Sequence, residues 1–555
     1  MIARRWIVLG SIVAVIAGVA AYRYLGWSPV DPVSTVRAAG PVRVPLDLSR
    51  PEAVIRTSSL ARLPRDLLRL PIARDVLTED LAFYYEQHED RLALGGALRR
   101  IAYEHQLDWS DTLLKAALDE SAEIGLWRDG KGALRRFALV LDRNTLATVL
   151  QELAAVALKD RQLQIAGEIS LEGYSTPVYS LALSPRRSLL IISGGERIVV
   201  LSDPWMLLDQ DGKVMVSAQR AIANWLANPG VLASAFQLDN STQAPAHSLA
   251  IGAPALALGY AAFVPSFKAL RFDYSVAAGW STQVWMDPAT PETKPREDAQ
   301  TWKVLPVNPS ACVQLPLDWN LVLSVMGVAK IASGNTNELA LREGSAVACW
   351  YRESNLYSPV FVLRLQTTPK DRDAIVRTLA EWALRLPLTE KTKGSDDEKA
   401  VATPEAVPGS DTLVKPEIRA GVLRWQPPGL ARPGLPVPTV AAKGDYLFFS
   451  PDPALVDRAL DTLARRNPSV SDQMSEARDT LAFITPRALA PMIEREALAA
   501  LWRPADANMR AAVQTHLAPR MQALARYPAY RLTFGARPPA QGWRSVEWHA
   551  IGGAK

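Results

Sequence analysis

The sequence predicts an α+β protein: an N-terminal transmembrane helix followed by two duplicated domains of antiparallel sheet with packed helices. Three observations carry this prediction. One uncharged apolar run, Trp6 to Tyr22, follows an arginine pair. Strand-like alternation of apolar and polar residues, closed by polar turns, recurs through the remainder. Three stretches of the first half reappear in the same order in the second.

The apolar run WIVLGSIVAVIAGVAAY holds 17 residues. As a helix it spans about 25 Å, slightly short of a hydrocarbon core of roughly 30 Å. Tyr24, Leu25 and Trp27 extend the buried stretch, with Arg23 snorkelling back to the headgroups. Arg4 and Arg5 hold the short tip in the cytoplasm, which puts the body in the periplasm of a bacterium, attached to the inner membrane by a single pass. A cleaved signal peptide shares the basic start and the small residues Ala17, Ala20 and Ala21. The length of the run and the bulky residues after it favour an uncleaved anchor, and both readings export the body. Residues 1–27 are therefore the cytoplasmic tip and anchor, and 28–45, rich in Pro and Val, a linker.

A chain of 555 residues exceeds what one core usually organises. Its 48% hydrophobic content and 16 tryptophans describe a globular body. The 62 basic and 57 acidic residues leave a net charge of +5, much of it near the N-terminus, where Arg4, Arg5, Arg23 and Arg37 meet only Asp31. No basic stripe marks a nucleic-acid interface. Cys312 and Cys349 are the two cysteines, outside any CxxC pair or zinc-ligand spacing. An oxidising compartment permits a disulfide between them, but two separate buried thiols are the favoured reading.

The body is written twice. Ser121 to Asp142 (SAEIGLWRDGKGALRRFALVLD) aligns without a gap on Ser345 to Gln366 (SAVACWYRESNLYSPVFVLRLQ), each an apolar-alternating hairpin. A helix follows each: Val149, Leu150, Leu153, Ala154 and Ala157 recur as Ile375, Val376, Leu379, Ala380 and Ala383. Arg197 to Pro204 (RIVVLSDP) matches Asp445 to Pro453 (DYLFFSPDP), a strand running into a helix that Asp203 or Asp452 caps and Pro204 or Pro453 begins. Gly194–Gly195 and Gly444–Asp445 sit where a hairpin turn needs positive φ. Leu270 to Trp285 parallels Arg531 to Trp548, each with Gly-Trp and a second Trp five residues later. The first α+β repeat covers 46–286 with a helical insertion around 60–118, and the inter-domain linker is 287–300. The second repeat is 301–555, with an exposed mobile loop around 389–416.

No catalytic, metal or cofactor motif stands out from this background. The five histidines, His88, His105, His247, His516 and His549, form no HExxH or other close ligand pair. His88 with Glu86, Glu89 and Asp90 is the densest polar cluster, but helical neighbours in sequence diverge, and a solvated helix end is the favoured reading. Arg100 and Glu104, flanked by Arg99 and His105, form a surface i,i+4 pair. Ser193–Gly194–Gly195 lacks the preceding glycine of a nucleophile elbow and reads as a turn. Trp280, Trp285, Trp543 and Trp548 are the best candidates for a shared surface, although core packing is favoured for all four.

Several strings resemble the YfaA-like family of bacterial membrane-associated proteins, domain-of-unknown-function family 2138. They are Ser59–Leu60, Leu63 to Pro71 (LPRDLLRLP), Arg74 to Asp80 (RDVLTED), Tyr84 to Leu92, Leu98 to His105 and Leu126 to Phe137. The resemblance spans nearly the whole body and transfers no catalytic residue. It implies a membrane-associated protein encoded beside an α-2-macroglobulin-like protein and small exported companions, and so a periplasmic partner. The expected function is a periplasmic two-domain binding or scaffolding module, favoured over an envelope hydrolase with an unrecognised site and over a carrier of an apolar ligand.

Overall fold

The computed structural model describes residues 46–60, 62–70, 120–128, 134–142, 163–171, 174–184, 187–209, 212–238, 245–256, 267–277, 279–286, 300–317, 344–356, 358–365, 376, 380, 416–426, 437–473, 480–499, 507–535 and 542–551. Among the described residues, ten strands belong to the first half. They are β1 (Ala53–Thr57), β2 (Ala122–Arg128), β3 (Leu134–Asp142), β4 (Leu163–Leu171), β5 (Tyr174–Ser184), β6 (Arg187–Gly194), β7 (Arg197–Leu201), β8 (His247–Gly252), β9 (Phe267–Ser275) and β10 (Gly279–Met286). Ten belong to the second half. They are β11 (Ala311–Leu317), β12 (Gly344–Trp350), β13 (Val360–Arg364), β14 (Glu417–Arg419), β15 (Val422–Trp425), β16 (Thr439–Lys443), β17 (Tyr446–Ser450), β18 (Thr480–Ile484), β19 (Ala529–Phe534) and β20 (Trp543–Ile551). The helices are α1 (Arg62–Leu68), α2 (Val216–Ala227), α3 (Val231–Ser234), α4 (Ala253–Leu256), α5 (Pro453–Leu463), α6 (Pro486–Ala499) and α7 (Ala507–Ala525).

All twenty strands of the described residues join one antiparallel sheet. At its centre β10 pairs with β20, Thr282 opposite Val546 and Trp285 opposite Trp543. Outward from that seam one arm runs β10-β9-β8-β1-β2-β3-β7-β6-β5-β4 and the other β20-β19-β18-β11-β12-β13-β17-β16-β15-β14. The expected α+β body of two duplicated domains, each with its own sheet, is thereby corrected. The physical reason is the edge: a terminal strand leaves a row of N–H and C=O groups unpaired, and joining β10 to β20 satisfies two such rows at once.

The expected transmembrane helix, Trp6 to Tyr22, lies outside the described residues, as do the linkers and the loop around 389–416. Among the described residues, no helix is long and apolar enough to cross a membrane. The insertion around 60–118 is described only at α1 and its flanks.

Local signals act where the residues place them. The hairpins read from the two aligned segments are β2–β3 and β12–β13, with Ala122 opposite Leu141 and Ala346 opposite Leu363. Gly195 (φ 57°) and Gly444 (φ 58°) open the two-residue turns β6–β7 and β16–β17, so the glycine match shifts by one residue from the expected alignment. The side chain of Asp203 accepts from the Trp205 amide and opens a short 3₁₀ turn, while Asp452 accepts from the Ala454 amide and opens α5. Replacing Asp452 with Ala is expected to cost about 1 kcal/mol, seen as a lower urea midpoint. Of the helices expected after each hairpin, the one around 149–157 lies outside the described residues, whereas Val376 and Ala380 of the other are buried.

Helices cover the sheet from both sides. α2 lays Ile222 and Trp225 against Val54, Trp127 and Val199. In the other arm, α5 packs on β16 and β17 and buries Leu455, Val456 and Ala459 in the core that holds Phe448. α6 and α7 bury Ala490, Met521 and Leu524 against Phe272, Trp280 and Trp548 near the seam. Trp285 and Trp543 face the other way, their ring centroids 5.5 Å apart. Three of the four tryptophans are buried and Trp285 is partly so.

Cys312 and Cys349 form a disulfide, which corrects the favoured reading of two separate thiols. They are direct cross-strand partners on β11 and β12, with Cα atoms 4.1 Å apart. A separation of 37 residues hides such a pairing until the register is known.

Candidate functional site

β8 and β9 carry polar residues on both faces in the interior of the sheet. Their register sets His247 opposite Tyr274 and Ser248 opposite Asp273, and successive residues point to opposite sides. On the first face α1 lies against the strands. Its start is fixed by Ser59, whose hydroxyl oxygen accepts from the Arg62 amide, and Asp66 then sits over His247.

Asp66 is the hub. Its Oδ2 lies 3.0 Å from His247 Nε2, while Oδ1 accepts from the Tyr274 hydroxyl at 3.2 Å and stands 3.2 Å from Arg69 Nε. Its backbone carbonyl accepts from Trp280 Nε1 at 3.2 Å. Arg69 also donates to the Tyr274 oxygen at 2.6 Å. The other imidazole nitrogen, Nδ1, lies 2.7 Å from the Thr57 hydroxyl, which in turn accepts from the Ser59 amide. Tyr274 stacks on the imidazole with centroids 5.5 Å apart.

Desolvation holds the His247 pKa below its ordinary value of 6.5; the hydrogen bond and charge of Asp66 oppose this, and Arg62 adds to it. The ring is therefore neutral near pH 7, with Nε2 against the Asp66 carboxyl group and Nδ1 against the Thr57 hydroxyl, which donates to the Ser59 carbonyl oxygen at 2.7 Å. Burial, with Asp66 beside it, pushes the Tyr274 hydroxyl up. Because the folded ring takes up a proton less readily than the unfolded one, stability falls as pH drops below about 6.5 and levels off below the folded pKa. The slope has a ceiling of about 1.4 kcal/mol per pH unit. Denaturation midpoints between pH 8 and 5 should show this loss in the native chain and lack it in His247→Gln.

On the opposite face, Arg271 Nε lies 2.7 Å from Asp273 Oδ1, with both side chains buried. Ser248 donates to the same oxygen at 2.6 Å and Gln283 to Oδ2 at 2.9 Å. The Arg271 guanidinium also stands 5.6 Å from the Trp543 ring centroid. This second network reaches the seam through Gln283 and Trp543.

The first network has the connectivity of an acid–base relay, hydroxyl to imidazole to carboxylate. Yet Thr57 and His247 are each 1% exposed, and every polar atom of the imidazole is engaged within the fold. As placed, the array clamps α1 and β1 onto β8 and β9.

The acid–histidine cluster Glu86, His88, Glu89 and Asp90 lies outside the described residues, as do Arg99, Arg100, Glu104 and His105 and the side chain of His516. Ser193 and Gly194 end β6, and Gly195 makes the turn. His549 lies at the surface, its Nε2 2.9 Å from the Thr533 hydroxyl and 3.9 Å from Glu547. Among the described residues, no group of three or more His, Cys, Asp or Glu is placed to hold a metal ion. Asp66 and His247 are 181 residues apart, and no local spacing marks them as partners.

The model of a family described as "Uncharacterized protein conserved in bacteria (DUF2138)" matches residues 5–552. The chain belongs to this family. A relative in Escherichia coli (strain K12), "Uncharacterized protein YfaA", is 28% identical over 565 positions, covering 98% of this chain and 97% of its own length. No solved structure matches. The matched span takes in both arms of the sheet and the positions of both polar networks.

Proposed function

We propose that this DUF2138 protein is held at the bacterial inner membrane by its apolar N-terminal segment and works in the periplasm as a binding or scaffolding module. The observation that carries the reading is the buried Cys312–Cys349 disulfide, since such bonds form and persist in oxidising compartments and are rare in the cytosol. The arginine pair before Trp6 supports the same orientation. The described groups best suited to acid–base chemistry, His247 and Asp66, are spent on holding the sheet together, which favours a rigid platform over a hydrolase. The partner on this reading is another envelope protein.

Fusion of an export-dependent reporter to the C-terminus tests the location. Activity there, with a cytosol-dependent reporter silent, is the expected result; the reverse pattern overturns the proposal. Crosslinking in intact cells, with identification of the captured envelope protein, tests the platform role. A purified full-length chain that hydrolyses envelope polymers would replace that role with an enzymatic one.

A further inference from the structure

The two arms fill one corresponding place with different chemistry. In the second arm it holds the disulfide, with neither cysteine exposed, in the core that also contains Trp302, Tyr351 and Phe483. In the first arm, the alignment of Ser121 on Ser345 brings Gly125 to the place of Cys349, and β1–β2 pairing sets Val54 opposite it. There a Cβ on residue 125 would lie 2.6 Å from Cη2 of Trp127 and 3.2 Å from Leu232. An indole thus occupies the room that a side chain on residue 125 would need. One arm closes its core with apolar groups alone, and the other with a covalent bond.

We propose that Cys312 and Cys349 are a substrate site for an envelope thiol–disulfide oxidase, and that their oxidation precedes the closing of the core around β11 and β12. The argument is access. Exchange requires a thiolate to reach a disulfide sulfur, and a protein oxidant cannot reach two cysteines that are both 0% exposed. One cysteine thiolate attacks the oxidant's disulfide, forming a mixed disulfide and releasing one thiolate of the oxidant. The second cysteine thiolate then attacks the first cysteine's sulfur and expels the oxidant's remaining thiolate. Two electrons pass to the oxidant, and the two protons lost by the cysteines balance those its thiolates take up. The inference rests on the export reading only for the identity of the oxidant.

The test uses the full chain extracted from membranes in mild detergent. Maleimide should label neither cysteine, folded or denatured, and dithiothreitol should open the bond only when denaturant is present. After reduction and removal of denaturant, residues 300–551 should stay open to protease until a disulfide oxidant is added, while 46–286 regain protection without it. The double replacement Cys312→Val with Cys349→Gly, which copies the first arm, separates loss of the bond from loss of packing: its second arm should also stay open, and oxidant should not rescue it. Labelled thiols in the freshly extracted chain, reduction of the folded protein at the rate of the unfolded one, or full protection of the reduced second arm would each overturn the proposal. A negative export reporter would instead remove the location reading, so the two failures are distinguishable.

Discussion

Replacing Asp273 with Ala is expected to destabilise the protein by about 3–5 kcal/mol, the usual cost of removing one partner of a buried ion pair. The carboxylate holds Arg271, Ser248 and Gln283 together, and both ionic side chains are under 10% exposed. Without it, the Arg271 guanidinium keeps its charge, because arginine does not deprotonate in proteins. Trp543 supplies only a ring face in return. The comparison with Asp273→Asn is informative: the amide restores an acceptor for Ser248 without the charge, so it should lose less. Urea midpoints of the three chains, with the native chain highest and Ala lowest, check the ordering. An Ala variant within about 0.5 kcal/mol of the native chain, the range of an ordinary surface substitution, would refute it.

Gly542→Val is the second large effect, and it acts on the seam. Gly542 has φ +85°, a conformation that costs a β-branched residue dearly, and an added Cβ would lie 2.7 Å from Trp285 Nε1 and 2.9 Å from its Cδ1. Trp285 cannot swing away freely, because its ring packs on Trp543 across the β10–β20 pair. Strained backbone contributes about 1–3 kcal/mol and overpacking a similar amount. Gly542→Val with Trp285→Ala removes the clash and should recover part of the loss, whereas an isolated backbone effect would leave the double variant no better. Hydrogen exchange of the β10 and β20 amides would locate the damage at the join.

What the sequence made legible was local. The hairpins of β2–β3 and β12–β13, the caps Asp203 and Asp452, and the turn glycines Gly195 and Gly444 each depend on residues within a few positions of one another. The join of β10 to β20 was not legible, since a strand shows the same alternation whether its outer edge meets solvent or another strand. The tryptophans illustrate a related limit. Aligning the two Gly-Trp segments equates Trp280 with Trp543, but the sheet turns Trp280 toward Trp548's side and Trp543 toward Trp285's. A register parity decides that, and it resides in the hydrogen-bond ladder. Asp66 and His247 were hidden for another reason: a cluster gathered from α1, β1, β8 and β9 has no spacing to recognise.

The strand order also settles where the chain enters its own body. Residue 46 leads into β1, three places from β10, whereas the outermost strands β4 and β14 each stand nine places from the join. At about 4.8 Å per place, either tip lies roughly 43 Å from the join along the sheet. Counted from β1, the β4 tip is six places off, about 29 Å, and the β14 tip thirteen, about 62 Å, so the chain enters well off centre and the second limb is the long one.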